Sequence, residues 1–130
     1  KDGVYFKPFT TLEGIVEKHS GQEPFNVGEK LLNKISKKDY GTYYFEPIDS
    51  VPVNFISTLD ITNGNSGSAT INSDFDLVGL AFDGMLETII ADYKYIPQAR
   101  SISVDSRYLL WTLEKVEGAD NILKELTIVN

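Results

Sequence analysis

The chain has 130 residues, 42% of them hydrophobic and 24% charged, which is typical of a globular protein and unlike a disordered, collagenous or coiled-coil chain. The net charge of -7 argues against a nucleic-acid partner, because phosphate contacts need clustered Lys and Arg side chains. Cysteine is absent, which excludes disulfides, thiolate zinc sites and a cysteine nucleophile, and no apolar run approaches the roughly 18 residues that a membrane span needs.

The first 50 residues predict a lead-in that contains two short helices. The segment Thr10-Thr11-Leu12-Glu13 fits a capping box, in which the Thr10 hydroxyl and the Glu13 carboxylate each satisfy a free amide at a helix start. We expect that helix to end near Ser20-Gly21. A second helix is predicted over residues 29–39, because Leu and Ile recur there at helical spacing while lysines occupy other positions.

Residues 51–104 change to a pattern of short strands, and residues 105–130 return to helices. A helix capped by Asp105 or Ser106 is expected to end at Gly118, which suits the left-handed position after a helix. Alternation and apolar runs bounded by turn residues predict four strands, at 53–57, 68–71, 77–82 and 100–104. We therefore expect a single domain over residues 1–130, mainly β, with helices towards both ends of the sequence.

One polar loop between two predicted strands has a chemical interpretation: Asp60-Ile61-Thr62-Asn63-Gly64-Asn65-Ser66-Gly67-Ser68. A peptidase serine of the chymotrypsin type needs a hydroxyl in a cleft, with the amides of the serine and of the residue two before it aimed at the developing oxyanion. Gly64 lies two residues before Ser66 and lacks the Cβ that would obstruct such a turn. The same letters also fit an ordinary polar hairpin loop, since Gly, Asn and Ser favour turns, and that alternative stays open here.

This loop and its surroundings resemble the bacterial dipeptidyl-peptidase 7 and 11 group, serine peptidase family 46. The most specific similarities lie in residues 60–68, 79–84 and 108–111, and the resemblance covers nearly the whole chain. It implies a fold that is mainly β with flanking helices, containing the chymotrypsin-like C-terminal β-barrel of a double-barrel enzyme. It also implies release of N-terminal dipeptides through an acyl-enzyme, with no metal or organic cofactor, in the periplasm or at the cell surface.

The resemblance assigns roles to four positions in the chain. Ser66 matches the nucleophile, and the amides of Gly64 and Ser66 match the oxyanion hole. Asp83 matches the acidic residue that helps to bind the free α-amino group of the substrate. Gly84 matches the position that shapes the S1 pocket, where members with Arg resemble enzymes for acidic P1 residues and Gly implies a hydrophobic P1 residue. Without the resemblance, Asp83-Gly84 would be interpreted as a plain turn after a strand.

Two other titratable residues need an interpretation. Asp60 lies six residues before Ser66, where a carboxylate could favour a basic P1 residue, but we expect a buried, hydrogen-bonded structural aspartate instead. His19, the only histidine, lies in a charged helix end and is expected to be a solvated surface residue. The resemblance implies that the triad His and Asp lie in another barrel outside this chain, so the isolated chain is expected to be inactive.

Two functions of other kinds remain open at this stage. The chain could be a non-catalytic β-barrel module that binds peptide termini, or part of a trypsin-like endopeptidase in which Asp83 has no amine-binding role. The expected partner is a peptide or oligopeptide substrate, and the parent enzyme could form a homodimer. Because residues 1–4 contain neither an initiator Met nor a signal-peptide core, we expect an excised piece or a mature form.

Overall fold

A computed structural model gives the fold. It describes residues 3, 5–91 and 93–129. The chain divides into two compact units, of which the first comprises Lys1–Thr10 with Asn54–Ser106 and the second comprises Thr11–Val53 with Arg107–Asn130. Within the described ranges, none of the helices combines the length and the apolar character that crossing a bilayer requires.

Five strands form one mainly antiparallel sheet. They are β1 (Phe9–Thr11), β2 (Pro52–Ser57), β3 (Ala69–Ile71), β4 (Leu77–Gly84) and β5 (Ser101–Asp105). Their spatial order is β1-β2-β5-β4-β3, so the two shortest strands, each of three residues, form the edges. The coarse prediction of a mainly β fold with flanking helices is confirmed. The predicted closed barrel is not, because the edge strands β1 and β3 of the described sheet do not pair with each other.

Small and hydroxylated side chains fill the buried face of this sheet. Ser103 on β5 and Thr70 on β3 are 1% and 5% exposed, and their hydroxyl oxygens lie 3.0 Å apart. This bond spans β4, which lies between the two strands, because Ala81 of β4 pairs with Ser103 and has only a methyl side chain. The hydroxyls therefore tie the edge strand β3 to the centre of the sheet.

The described residues contain four α-helices, and the first two have bounds close to those predicted. They are α1 (Leu12–Lys18), α2 (Glu29–Ser36), α3 (Ser106–Trp111) and α4 (Asp120–Leu123). The capping-box prediction was wrong by one residue: Thr11 is the N-cap, and its hydroxyl accepts a hydrogen bond from the Gly14 amide at 3.2 Å. The Thr10 hydroxyl instead accepts a hydrogen bond from the Asn54 amide at 3.1 Å. Glu13 instead accepts a hydrogen bond from the Tyr40 hydroxyl.

The second unit has a hydrophobic core around Trp111, which is completely buried. The indole Nε1 of Trp111 donates a hydrogen bond to the carbonyl oxygen of Asp39 at 2.9 Å, so its one polar atom is satisfied inside the core. After α3 the chain continues as a π-helix to Glu117, and Gly118 ends it in the predicted left-handed conformation with φ of 62°. The other core residues are Leu12, Ile35, Tyr40, Tyr43, Val51, Val53 and Val116.

Candidate active site

A cavity of about 520 Å³ in the first unit lies beside the loop between β2 and β3. Three stretches of chain line it: residues 61–66, residues 81–86, and residues 88 and 89. The four residues to which the resemblance assigns roles, Gly64, Ser66, Asp83 and Gly84, therefore meet at one cavity. The first two come from the loop, whereas the other two are the last residues of β4.

The loop takes a conformation that its sequence favours. Gly64 and Gly67 have φ of 95° and 89°, in the region that L residues with a side chain rarely adopt. The Asn65 side chain closes the turn between them, because its Oδ1 accepts a hydrogen bond from the Thr62 amide at 2.8 Å. The Gly67 amide then donates to the Ala81 carbonyl at 2.7 Å, which fixes the exit of the loop against β4.

Two backbone amides of the loop are available to a ligand. In the part of the chain that the structure describes, the amides of Gly64 and Ser66 donate to no acceptor, and both residues line the cavity. The Ser66 side chain is exposed, and its Oγ lies 3.4 Å from the Phe82 carbonyl oxygen, to which it donates. A hydroxyl in a weak hydrogen bond beside two free N–H donors is an arrangement suited to attack on a carbonyl group.

The end of β4 also lines the cavity, next to the loop. Asp83 is exposed, and its Oδ1 accepts a hydrogen bond from the Gly84 amide at 2.8 Å, which orients the carboxylate. The register with β5 shifts between Ala81 and Asp83, so the strand bulges where it reaches the cavity. Such a bulge re-aims the side chains that follow it, and Asp83 and Gly84 are the residues affected.

One wall of the cavity is an element that sequence reasoning missed. Residues Leu86–Ile90 form a 3-10 helix, and Leu86, Thr88 and Ile89 line the cavity. Leu86 and Ile89 remain 76% and 69% exposed, so this wall offers apolar surface. The sequence signal for this helix was the position of Thr88, three residues after Met85. A hydroxyl at that spacing can donate a hydrogen bond to the backbone carbonyl three residues earlier, as Thr88 does to Met85.

Asp60 and His19 do not line the cavity. The expectation of a buried Asp60 was wrong, because its side chain is exposed in the polar loop. His19 is half-buried at the end of α1 rather than fully solvated, and its Nδ1 accepts a hydrogen bond from the Val27 amide at 3.0 Å. A neutral ring that accepts this bond at Nδ1 has its N–H at Nε2.

The described residues contain no group of three or more His, Cys, Asp or Glu side chains placed to hold a metal ion. The hydroxyl of Ser66 and the carboxylate of Asp83 both line the cavity.

Comparison with known proteins places this geometry in a family context. The family model described as Peptidase S46 matches residues 1–128. An "Asp/Glu-specific dipeptidyl-peptidase" of Shewanella putrefaciens is 42% identical over 99% of this chain and 21% of its own length. A "Dipeptidyl-peptidase 7" of Phocaeicola vulgatus is also 42% identical, over 99% of this chain and 18% of its own length. The chain thus spans about a fifth of the length of these relatives.

Solved structures agree with the sequence comparison. A crystal structure of Porphyromonas endodontalis DPP11 in complex with the dipeptide Arg-Asp matches with a TM-score of 0.91 and 37% identity. The match covers 96% of this chain and 18% of that one. A complex of the same protein with the dipeptide Arg-Glu gives the same TM-score of 0.91.

Proposed function

The chain belongs to the Peptidase S46 family, and on that premise we propose that it is the nucleophile-bearing part of a longer serine dipeptidyl-peptidase. The observation that carries the proposal is that Gly64, Ser66 and Asp83 line one cavity, while the amides of Gly64 and Ser66 donate to no acceptor among the described residues. Supporting it, the relatives named above are dipeptidyl-peptidases of about five times this length. The base histidine and its aspartate are proposed to lie in the remainder of that longer protein.

The proposed reaction is acyl transfer. Ser66 Oγ attacks the carbonyl carbon of the second substrate residue, and its proton passes to the base histidine. The resulting oxyanion accepts hydrogen bonds from the Gly64 and Ser66 amides, and loss of one such donor typically costs about 10²–10³ in kcat. The tetrahedral intermediate collapses to an acyl-enzyme as the base returns the proton to the leaving amine. Water then attacks the ester, releases the dipeptide and restores the Ser66 hydroxyl.

Asp83 is proposed to anchor the free α-amino group of the substrate. A carboxylate paired with an ammonium group forms a charge-assisted hydrogen bond, worth about 1.5–3 kcal/mol. The bond from the Gly84 amide holds one carboxylate oxygen, which leaves Oδ2 for the ligand. This anchor limits the product to two residues, because Asp83 and Ser66 line the same cavity of about 520 Å³.

The proposed P1 side chain is hydrophobic. Of the described residues that line it, Asp83 is the only charged one, so an acidic P1 side chain would meet no counter-charge. The relatives' names do not decide this point, because an Asp/Glu-specific enzyme and a dipeptidyl-peptidase 7 match with the same 42% identity. The apolar side chains that line the cavity are Ile61, Ala81, Phe82, Met85, Leu86 and Ile89.

We also propose that the longer protein is exported to the periplasm or the cell surface and that it forms a homodimer. They rest on the family resemblance alone. The proposal of a chymotrypsin-like double barrel rests on the same resemblance. In that proposal, the sheet of this chain forms a barrel only together with other parts of the longer protein.

The proposed nucleophile is tested by labelling the longer protein with a fluorophosphonate probe and measuring dipeptide release. Ser66→Ala should abolish labelling and lower kcat by about 10⁴-fold or more, since loss of a triad member removes most of the rate enhancement. Ser68→Ala is the matched control, because Ser68 is in the same loop but contributes a backbone bond to Ala81. Dipeptide release that survives Ser66→Ala would contradict the proposal, and a protein that neither labels nor cleaves would favour a non-catalytic peptide-binding module.

The amine anchor is tested separately with Asp83→Asn. This change keeps the oxygen that the Gly84 amide binds but removes the negative charge. We expect kcat/KM for unblocked peptides to fall about 10–100-fold, which corresponds to the loss of one charged hydrogen bond. Asp60→Asn, at an exposed position outside the cavity lining, is the control. Unchanged activity, together with cleavage of N-acetylated peptides, would point to an endopeptidase.

A further inference from the structure

We propose that Thr88 is a specificity-determining residue that sets the depth of the P1 side-chain pocket by filling the space above Gly84. The inference rests on the proposed function, because it assigns a role within the same cavity. Both residues line that cavity, Gly84 at the end of β4 and Thr88 in the 3-10 helix Leu86–Ile90.

The argument begins with the space around Gly84. A Cβ built on this residue would lie 2.4 Å from Thr88 Oγ1 and 3.1 Å from both Thr88 Cβ and Thr88 Cγ2. Real Cβ atoms essentially never approach another heavy atom within 3.0 Å. Thr88 therefore packs directly on the backbone of Gly84 and takes the volume that the missing side chain leaves. A glycine at position 84 does not by itself create a deep pocket in this chain.

Thr88 is also held in place. Its Oγ1 donates a hydrogen bond to the Met85 carbonyl at 2.7 Å, and its own amide donates to the same oxygen at 2.8 Å. A β-branched side chain has few χ1 rotamers, so two bonds to one acceptor fix the position of the methyl group. The half-buried Thr88 therefore presents a fixed, uncharged surface to the cavity rather than a mobile side chain.

The contact makes positions 84 and 88 compete for one volume. A larger residue at 84 requires a smaller residue at 88, and a smaller residue at 88 lengthens the pocket while Gly84 is kept. Hydrophobic pockets distinguish substrates that differ by one methylene by roughly 10–200-fold, so the Thr88 methyl is large enough to affect the choice of P1 residue. The ratio of kcat/KM values for large and small P1 residues therefore reports on position 88.

The experiment uses the longer protein that contains this chain and dipeptide amides that differ only in P1: Ala, Leu or Phe. Thr88→Ser removes the methyl group but keeps the hydroxyl that bonds to Met85. We expect it to raise the Phe-to-Ala ratio of kcat/KM about ten-fold. Thr88→Val is the matched control, because it keeps the shape and loses the hydroxyl. Its Phe-to-Ala ratio should stay within about two-fold of the wild-type ratio, even if all rates fall together, because the space left for P1 is unchanged.

A second pair of variants keeps the proposal testable if Thr88→Ser disturbs the 3-10 helix. Gly84→Ala alone should lower kcat/KM for all three substrates about ten-fold, because its Cβ meets Thr88 Oγ1. The double variant, Gly84→Ala with Thr88→Ala, lacks that oxygen and keeps the 3.1 Å contact with the Cβ of residue 88. Its kcat/KM should therefore regain most of what Gly84→Ala alone loses. Additive effects of the two substitutions would overturn the competition between the positions.

The outcomes separate this inference from the function on which it rests. Fluorophosphonate labelling of Ser66 is measured for every variant and shows that the nucleophile and its amides are intact. If the unmodified protein releases no dipeptide, the proposed function fails and the inference fails with it. If the protein releases dipeptides, Ser66 is labelled in the variants and the P1 ratios do not move, only the role of Thr88 is overturned.

Discussion

At the scale of single residues, the site depends on the backbone angle of Gly64. Gly64 lines the cavity with φ of 95°, a conformation that a side chain makes costly by about 1–3 kcal/mol. We predict that Gly64→Ala lowers kcat for dipeptide release by about 10²-fold while KM changes little, because an oxyanion donor acts mainly in the transition state. Steady-state kinetics of the longer protein measure both constants.

The neighbouring Asn63 provides the control for that prediction. It lines the same cavity but has no positive φ, so Asn63→Ala should leave kcat within a few-fold of the unmodified protein. Wild-type kcat for Gly64→Ala would contradict the assignment of its amide to the oxyanion hole. A loss that appears only in KM would instead indicate that the Gly64 amide binds the substrate in its ground state.

At the scale of elements, the sheet holds the loop through hydroxyl bonds that span a strand. Thr70→Val keeps the shape of the side chain but removes the partner of Ser103, which is 1% exposed. A buried polar group that loses a partner costs about 1–3 kcal/mol. We therefore predict that β3 and β4 open more readily, with amide hydrogen exchange about ten-fold faster in peptides that cover Gly67 and Ala81.

Hydrogen–deuterium exchange followed by mass spectrometry measures this local opening. Thr58→Val is the matched control, because Thr58 is exposed and lies outside the strands. Equal protection in both variants would show that the bond between Thr70 and Ser103 does not stabilise the edge of the sheet.

The second unit contains hydrogen bonds between tyrosines and glutamates that make stability depend on pH. Burial, together with the hydrogen bond that Tyr43 donates to Glu114 at 2.6 Å, raises the pKa of Tyr43 to about 12. The pKa of Glu13 is lowered: burial opposes the shift, but hydrogen bonds from Ser50 and Tyr40 outweigh it. The Tyr43 contribution is present below the unfolded pKa near 10 and is lost towards pH 12, whereas the Glu13 contribution is lost on acidification.

We predict that Tyr43→Phe flattens the alkaline side of the stability profile. The unmodified chain should lose stability between pH 10 and about 12, because the unfolded state releases the Tyr43 proton first. The variant lacks that group and should lose less over the same interval. Urea unfolding monitored by Trp111, which lies in the same core, measures the difference. Parallel profiles for the two chains would contradict the raised pKa.

At the scale of the whole molecule, structural features set by neighbouring residues were predicted better than features set by contacts between residues far apart in the sequence. Glycines on both sides of Ser66 and the apolar run that follows the turn at residues 72–76 are local signals, and they correctly predicted the turn and strand β4. The choice of Thr11 over Thr10 as helix cap depends on a bond from Asn54, far away in the sequence, so no local rule could have made it. The open sheet likewise depends on which distant strands pair.

The proposed function places the base histidine and its aspartate outside this chain, which leads to a prediction about the isolated 130 residues. The Ser66 hydroxyl has a carbonyl oxygen as its neighbour rather than a base, and the Nδ1 of the only histidine accepts a bond from Val27. A serine without a base stays protonated and is a weak nucleophile. We predict that the isolated chain neither releases dipeptides nor reacts with a fluorophosphonate above background, whereas the longer protein does both.

The control for this prediction is His19→Ala in the longer protein. Since the cavity lining does not include His19, this substitution should leave kcat/KM for dipeptide release unchanged within about two-fold. Cleavage by the isolated chain that Ser66→Ala and His19→Ala both abolish would contradict the prediction. It would mean that His19 gives up its bond to Val27 and reaches the nucleophile, so that one fifth of the relatives' length would be sufficient for catalysis.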